Sequence, residues 1–297
     1  MSGTAVLYAL IFLMVAFWSG NYIAGKIALR EFSPLLLAGL RISLAGVMML
    51  PLYIWECVGR RAGTARTSAR STAQLLLLGL FGVTLNQVLF VVGLSRTSVA
   101  HAAILIGLTP IQVLIVARLR GQERITARKA AGMAIALAGV AVLKAFEPAA
   151  GNGTGATWTG DFVVLLAGTC FALFTVFGKE VTERYSTITM NTCAYVGGAV
   201  TMLPLTLWEA TRQPLAHVSV GAWLAAIYMA LFSSVIAYLI YYHALAHMSA
   251  SRVSAFSYLQ PVFASIMGVA ILGESLGAPV IAGGAVILGG VYLAERG

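Results

Sequence analysis

Trp18, Asn21, Tyr22 and Gly25 recur at i, i+3, i+4 and i+7, a spacing that predicts an indole, an amide and a phenol on one side of a helix. Ser234, Tyr238, Tyr241 and Tyr242 lie close to one face of a second apolar stretch, with His243 following. A third stripe, Ser251, Ser254, Tyr258, Pro261 and Ser265, steps by 3, 4, 3 and 4, with Gln260 beside it. Asn86, Gln87 and Phe90 mark another stretch, and His101, Thr109 and Gln112 fall on one face of the next. Phe174, Phe177, Asn191 and Tyr195 add an aromatic wall. Aromatic and amide groups of this kind suit an uncharged or zwitterionic solute with an apolar part. Helix packing is the competing use, above all for the serines, whose small side chains let helices approach. The candidate substrate-binding set is therefore Trp18, Asn21, Tyr22, Asn86, His101, Gln112, Phe174, Tyr195, Tyr238, Tyr241, Tyr258 and Gln260.

Covalent catalysis has little to work with. His243 and His247 stand at i, i+4, yet no acid accompanies them, HExxH is absent, and the connectors are too short for a nucleophile, base and orienter. An integral-membrane enzyme acting on lipid or a lipid-linked substrate is the rival reading, and this pair is its nearest support. Cys57, Cys170 and Cys193 show no CxxC spacing, so neither metal nor cofactor is expected. Arg41 follows Pro34 by seven residues, about 10 Å into its stretch at the helical rise. Its charge requires a partner or water: a structural ion pair, snorkelling, or a carboxylate or phosphate on its fork. Lys26 and Lys179 are expected to complement helix C-termini, and Glu123 and Glu274 the N-termini of the helices after them.

The elements carrying these residues are apolar throughout. Of 297 residues, 60% are hydrophobic and 10% charged, and the mean hydropathy is +0.90. A soluble chain of this length cannot cover its exterior with so little charge. The surrounding solvent is therefore mostly lipid, and the formal charge of +9 reads as a topology signal in short connectors rather than a nucleic-acid surface.

A helix crossing about 30 Å of hydrocarbon needs roughly 20 apolar residues. Division at charged and Gly/Pro breaks gives ten spans, near 5–26, 34–55, 73–94, 97–117, 129–146, 160–179, 187–208, 220–243, 249–272 and 277–294. With the N-terminus inside, thirteen Lys and Arg fall in cytoplasmic connectors and five outside, with Arg41 left in its span. That bias places both termini in the cytoplasm.

The chain also repeats itself. At a shift of 151, Leu94 meets Leu245, Ser98 meets Ser249, Pro110 meets Pro261, Glu123 meets Glu274, and Gly132 and Gly139 meet Gly283 and Gly290. At a shift of 153, Gly25-Lys26 meets Gly178-Lys179. Five spans per copy is an odd number, so the second copy enters the membrane upside down. The expected fold is all-α, with ten transmembrane helices in two inverted repeats: residues 1–147, a Pro/Gly-marked linker 148–159, and residues 160–297.

Phe17-Trp18-Ser19-Gly20-Asn21-Tyr22, then Lys26, Pro34 and Arg41, together with Pro110/Glu123 and Pro261/Glu274 before Gly-rich closing spans, resemble the drug/metabolite transporter superfamily, specifically its EamA-type members. The second repeat departs at Arg41, whose counterpart is at or near Ala194. The resemblance implies an inner-membrane secondary transporter that exports amino acids or related metabolites by alternating access. Its partners would be a small-molecule substrate and membrane lipid, with no nucleic acid, as a monomer or a homodimer. No acid lies inside a span apart from the edge residues Glu31, Asp161 and Glu180, which argues against sodium coupling through a buried carboxylate.

Overall fold

The computed structural model describes residues 3–59, 69–97, 102, 105–145, 157–182, 184–260, 262–263, 267 and 278–297. His101, Pro261, Ser265, Glu274 and most of the linker lie outside them. Ten helical elements overlap the expected spans, the start of the fourth and the second half of the ninth lying largely outside the described residues. They are α1 Gly3–Ala28, α2 Pro34–Gly59, α3 Ala69–Gly79 continuing through Leu80–Leu85 into Asn86–Arg96, α4 Thr109–Leu119 and α5 Ala127–Ala145. The second repeat supplies α6 Trp158–Val181, α7 Thr187–Arg212, α8 Val220–Ala230 continuing through Leu231–Ile236 into Ala237–His247, α9 Ala250–Ala255 with a 3-10 turn Phe256–Leu259, and α10 Ala278–Glu295. Five of these, over Thr4–Ala28, Pro34–Val58, Ala73–Arg96, Trp158–Val181 and Val220–His247, are long and apolar enough to cross a bilayer by themselves.

Helix starts are capped by small hydroxyl residues, which satisfy amides that have no intrahelical partner. Thr157 accepts from Gly160 N, Ser186 from Thr189 N, and Ser219 from Ala222 N. The middles of α3 and α8 break the α-helical rule at equivalent places. Asn86 N bonds Phe81 O and, 151 residues later, Ala237 N bonds Phe232 O. Each is an i to i+5 bond, the mark of a π-bulge. A bulge inserts one residue, turns the following face, and leaves a carbonyl without its usual helical donor.

The packing shows the inversion directly. α2 lies antiparallel to α7, α5 packs on α10 and α4 on α9, while α1 packs on α8 and its counterpart α6 on α3. At one end of the α2/α7 pair, Ser33 Oγ donates to Glu209 Oε2 at 2.5 Å. At the other end, Ser186 Oγ donates to Glu56 Oε2 at 2.7 Å. Both residues of each bond are shifted by 153 from those of the other, so one bond is the image of the other through a dyad. Glycines set the α5/α10 seam. A Cβ on Gly132 would stand 2.7 Å from Gly290 O, and a Cβ on Gly290 would stand 2.7 Å from Gly132 O. Only backbone against backbone fits there.

The lysines complement helix C-termini as expected, though of neighbouring helices, and the expectation for Glu123 needs correction. Lys26 caps α3 rather than its own helix, donating to Leu94 O at 2.8 Å and Thr97 O at 3.1 Å. Lys179 repeats this on α8, donating to Leu245 O and to Met248 O, the latter at 2.9 Å. Glu123 does not cap the backbone of the helix after it: it accepts from Ser251 N at the start of α9 at 3.0 Å and from the side chain of Lys129 in α5 at 2.7 Å, tying the two helices together. In both cases the helix terminus that is engaged belongs to a helix remote in sequence.

Candidate functional site

A cavity of about 80 Å³ lies between the two repeats. Its walls are Trp18, Asn21 and Tyr22 of α1, Arg41 of α2, Asn86, Gln87 and Phe90 of α3, Ile106 just before α4 and Thr109 at its start, Phe171 of α6, Tyr238 of α8, Ser257 in the 3-10 turn of α9 and Gln260 just after it. Four pairs of these are repeat counterparts: Trp18 with Phe171, Gln87 with Tyr238, Ile106 with Ser257, and Thr109 with Gln260. The cavity therefore straddles the dyad.

The two π-bulges open onto it. Trp18 Nε1 donates to Ser233 O at 3.1 Å, and Tyr238 OH donates to Gly82 O at 3.2 Å. Gly82 and Ser233 are themselves counterparts, one inside each bulge. The carbonyl that a bulge loosens from its helix thus receives a donor from the other repeat. Below Trp18 the rings form a layer: Phe171 at 5.8 Å, Tyr238 at 5.9 Å and Tyr241 at 5.4 Å between centroids. Tyr22 meets Phe90 edge to face at 5.6 Å.

The polar groups are unevenly shared. Arg41 Nε donates to Ser234 Oγ at 2.8 Å, and Asn86 Nδ2 donates to Ala167 O at 2.9 Å. Gln87 Nε2 donates to Tyr195 OH at 2.6 Å. Asn21 Oδ1, Gln87 Oε1 and Thr109 Oγ1 are buried without a hydrogen-bond partner. Asn21, Arg41 and Asn86 have Phe174, Ala194 and Ala237 as their counterparts, so the polar pole belongs to the first repeat.

Six of the twelve candidates, Trp18, Asn21, Tyr22, Asn86, Tyr238 and Gln260, line this cavity. Five stand behind it. Tyr195 is fully buried under Gln87, Tyr241 shares a 2.5 Å hydrogen bond with Thr175, and Gln112 donates to Thr169 at 3.2 Å between α4 and α6. Tyr258 is buried with an unpartnered hydroxyl. Phe174 packs over Gly82 and borders a separate, apolar groove of about 270 Å³ between α3 and α6, with Leu77 and Phe81. His101 lies outside the described residues. Arg41, for which the sequence leaves an ion pair, snorkelling and an anion on its fork open, joins the cavity wall. Phe171, Ile106 and Ser257 were not candidates, although Phe171 is the counterpart of Trp18 and the shift of 151 pairs Ile106 with Ser257.

His243 and His247 stack with ring centroids 4.5 Å apart on the last turns of α8, where His247 Nδ1 contacts His243 O at 2.8 Å. Neither lines the central cavity. Among the described residues no group of three His, Cys, Asp or Glu side chains is placed to hold a metal ion.

Ten helices in two inverted repeats around a shared cavity define a membrane transporter fold. The chain belongs to the EamA-like transporter family, whose sequence pattern matches residues 5–144 and again 158–295. Two proteins of Archaeoglobus fulgidus called uncharacterized transporters are 28% and 30% identical to it, each match covering 96% of both chains. The Escherichia coli K12 inner membrane transporter YedA, also called uncharacterized, is 27% identical over 91% of this chain and 84% of its own. A solved crystal structure shares the fold at a TM-score of 0.75, with 17% identity over 98% of this chain and 97% of that one. The protein is a multi-pass membrane transporter.

Proposed function

We propose that this protein is a secondary carrier that exports amino acids or related small metabolites from the cytoplasm by alternating access, with no covalent catalysis. One observation carries the reading: the cavity is walled by counterpart residues of two oppositely oriented repeats. Two such copies can each close one end of a common path, and rocking between them exposes it to either side. The cavity's aromatic and amide walls suit a solute with polar and apolar parts. Both termini face the cytoplasm, in keeping with the Lys and Arg bias of the connectors.

Reconstituted in liposomes, the full chain should take up labelled amino acids saturably and show counterflow when preloaded. Flux that neither saturates nor exchanges would overturn the carrier reading. Cys57 is exposed at the end of α2, on the face that carries the termini, whereas Cys170 is buried. A membrane-impermeant maleimide should therefore label Cys57 in inverted vesicles and not in intact spheroplasts.

A further inference from the structure

Arg41 is 4% exposed, and a guanidinium keeps its proton at any pH a protein tolerates. Its hydrogen bond to Ser234 Oγ engages Nε alone, and Ser234 Oγ in turn donates to Met229 O at 2.9 Å. Ser234 thus meets the cation as a neutral acceptor. No salt bridge among the described residues involves Arg41. A buried ion without a counter-charge is strongly unfavourable, and the cavity it faces is where an anion can enter. Its repeat counterpart is Ala194, and among the described residues no second Lys or Arg lines the cavity. One fixed cation, standing to one side of the dyad, matches a monoanion held in a single orientation.

The same wall holds the opposite need. Asn21 Oδ1, Gln87 Oε1 and Thr109 Oγ1 are buried without partners, and two of these atoms only accept. They call for N–H or O–H donors on whatever occupies the space. Between the two poles lie Trp18 and Phe171.

We propose that Arg41 is the carboxylate anchor of the cavity, which selects small organic monocarboxylates whose donor groups reach Asn21 and Gln87 and whose apolar body rests on Trp18 and Phe171. This deepens the carrier reading above and rests on the cavity being the substrate path. A carboxylate accepts two parallel N–H bonds from the guanidinium fork, which a neutral amide cannot imitate. A phosphate ester, with its second charge, finds no second cation here.

The test uses the purified full chain in detergent and four probes: L-phenylalanine, 3-phenylpropionate, L-phenylalaninamide and phenethylamine. Thermal stabilisation should follow the carboxylate, with the two acids binding about 10-fold or more tighter than the two compounds lacking it, as expected for losing a charge-assisted bidentate pair. In Arg41→Gln that ratio should fall to about 2-fold or less, while the unliganded protein melts no lower than wild type because an uncompensated charge has gone. If Arg41→Gln does not fold, Arg41→Lys carries the test, keeping the charge without the fork and leaving an intermediate ratio. Equal stabilisation by acid and amide, no stabilisation by any probe, or an unchanged ratio in the variants overturns the proposal. Counterflow in liposomes separates this from the carrier reading. Counterflow indifferent to the carboxylate removes the anchor and leaves the carrier; carboxylate binding through Arg41 without counterflow does the reverse.

Discussion

Trp18 and Phe171, 153 positions apart in the chain, meet edge to face with their ring centroids 5.8 Å apart. Because they are counterparts, their contact lies on the dyad that relates the two repeats. The pair is symmetric in place and asymmetric in chemistry: the indole donates to Ser233 O at 3.1 Å, and the phenyl ring has no such donor.

Trp18→Phe would make this level of the cavity alike on both sides. The lost hydrogen bond is worth about 1 kcal/mol, or a roughly 5-fold change in a two-state balance. The labelling rate of a cysteine placed at Ser257, measured from each side of the membrane with an impermeant maleimide, should shift by that factor. Identical rates in both proteins would show that the Ser233 contact does not bias the conformation.

Tyr238→Phe removes the donor to Gly82 O, the matching bond at the other bulge. Counterflow should slow several-fold, with a stability loss of about 1 kcal/mol from the bared carbonyl. Tyr241→Phe, which loses only its bond to Thr175 behind the cavity, should lower the melting temperature and leave the apparent substrate affinity as it was. Equal effects of the two variants on affinity would contradict the placement of the cavity wall.

At the α5/α10 seam, Gly290→Ala puts a methyl 2.4 Å from Ala136 N, a backbone atom that no rotamer can move aside. Overpacking of this kind costs about 1–3 kcal/mol. Gly289→Ala meets nothing within 4 Å and should be neutral or slightly stabilising through its helix propensity. Melting curves of the two neighbours in detergent check this directly, and similar curves would argue against backbone contact between the halves.

Glu123 lies in the α4/α5 connector, and its carboxyl is held below its ordinary value of 4.5. Burial alone would raise it, and the hydrogen bonds from Lys129 and Ser251 outweigh that. A value depressed in the folded state adds stability above about pH 4.5 and loses it as pH falls through the folded value. Wild type should therefore lose melting temperature below about pH 4.5 more steeply than Glu123→Gln. At pH 7 the variant should be about 3–5 kcal/mol less stable, since the buried Lys129 is left unpaired. Parallel pH profiles would remove Glu123 as the clamp on α9.

Spans, repeat and inversion were legible because each rests on a signal spread over many residues: twenty-residue apolar runs and matches at a constant shift. The polar stripe of α1 was legible too, since Trp18, Asn21 and Tyr22 share a face of a regular helix. Depth was not. Tyr238 and Tyr241 also share a face, yet one borders the cavity and the other packs behind it, because spacing fixes direction around a helix and not what lies opposite. The π-bulges were missed because a uniform 3.6-residue period was assumed through α3 and α8. Their trace in the sequence is slight, a Leu-Phe pair at 80–81 and again at 231–232. The choice among the three readings of Arg41 was not legible, because its hydrogen-bond partner, Ser234, is 193 residues away and uncharged.

The seam of Gly132 and Gly139 with Gly290 and Gly283 is self-complementary. A single five-helix unit therefore already encodes both sides of this joint: the notches that receive a neighbour's main chain also present their own. Two unlinked copies, inserted in opposite senses, would find the same mutual grip, so covalent fusion need supply only a tether and not a new recognition surface.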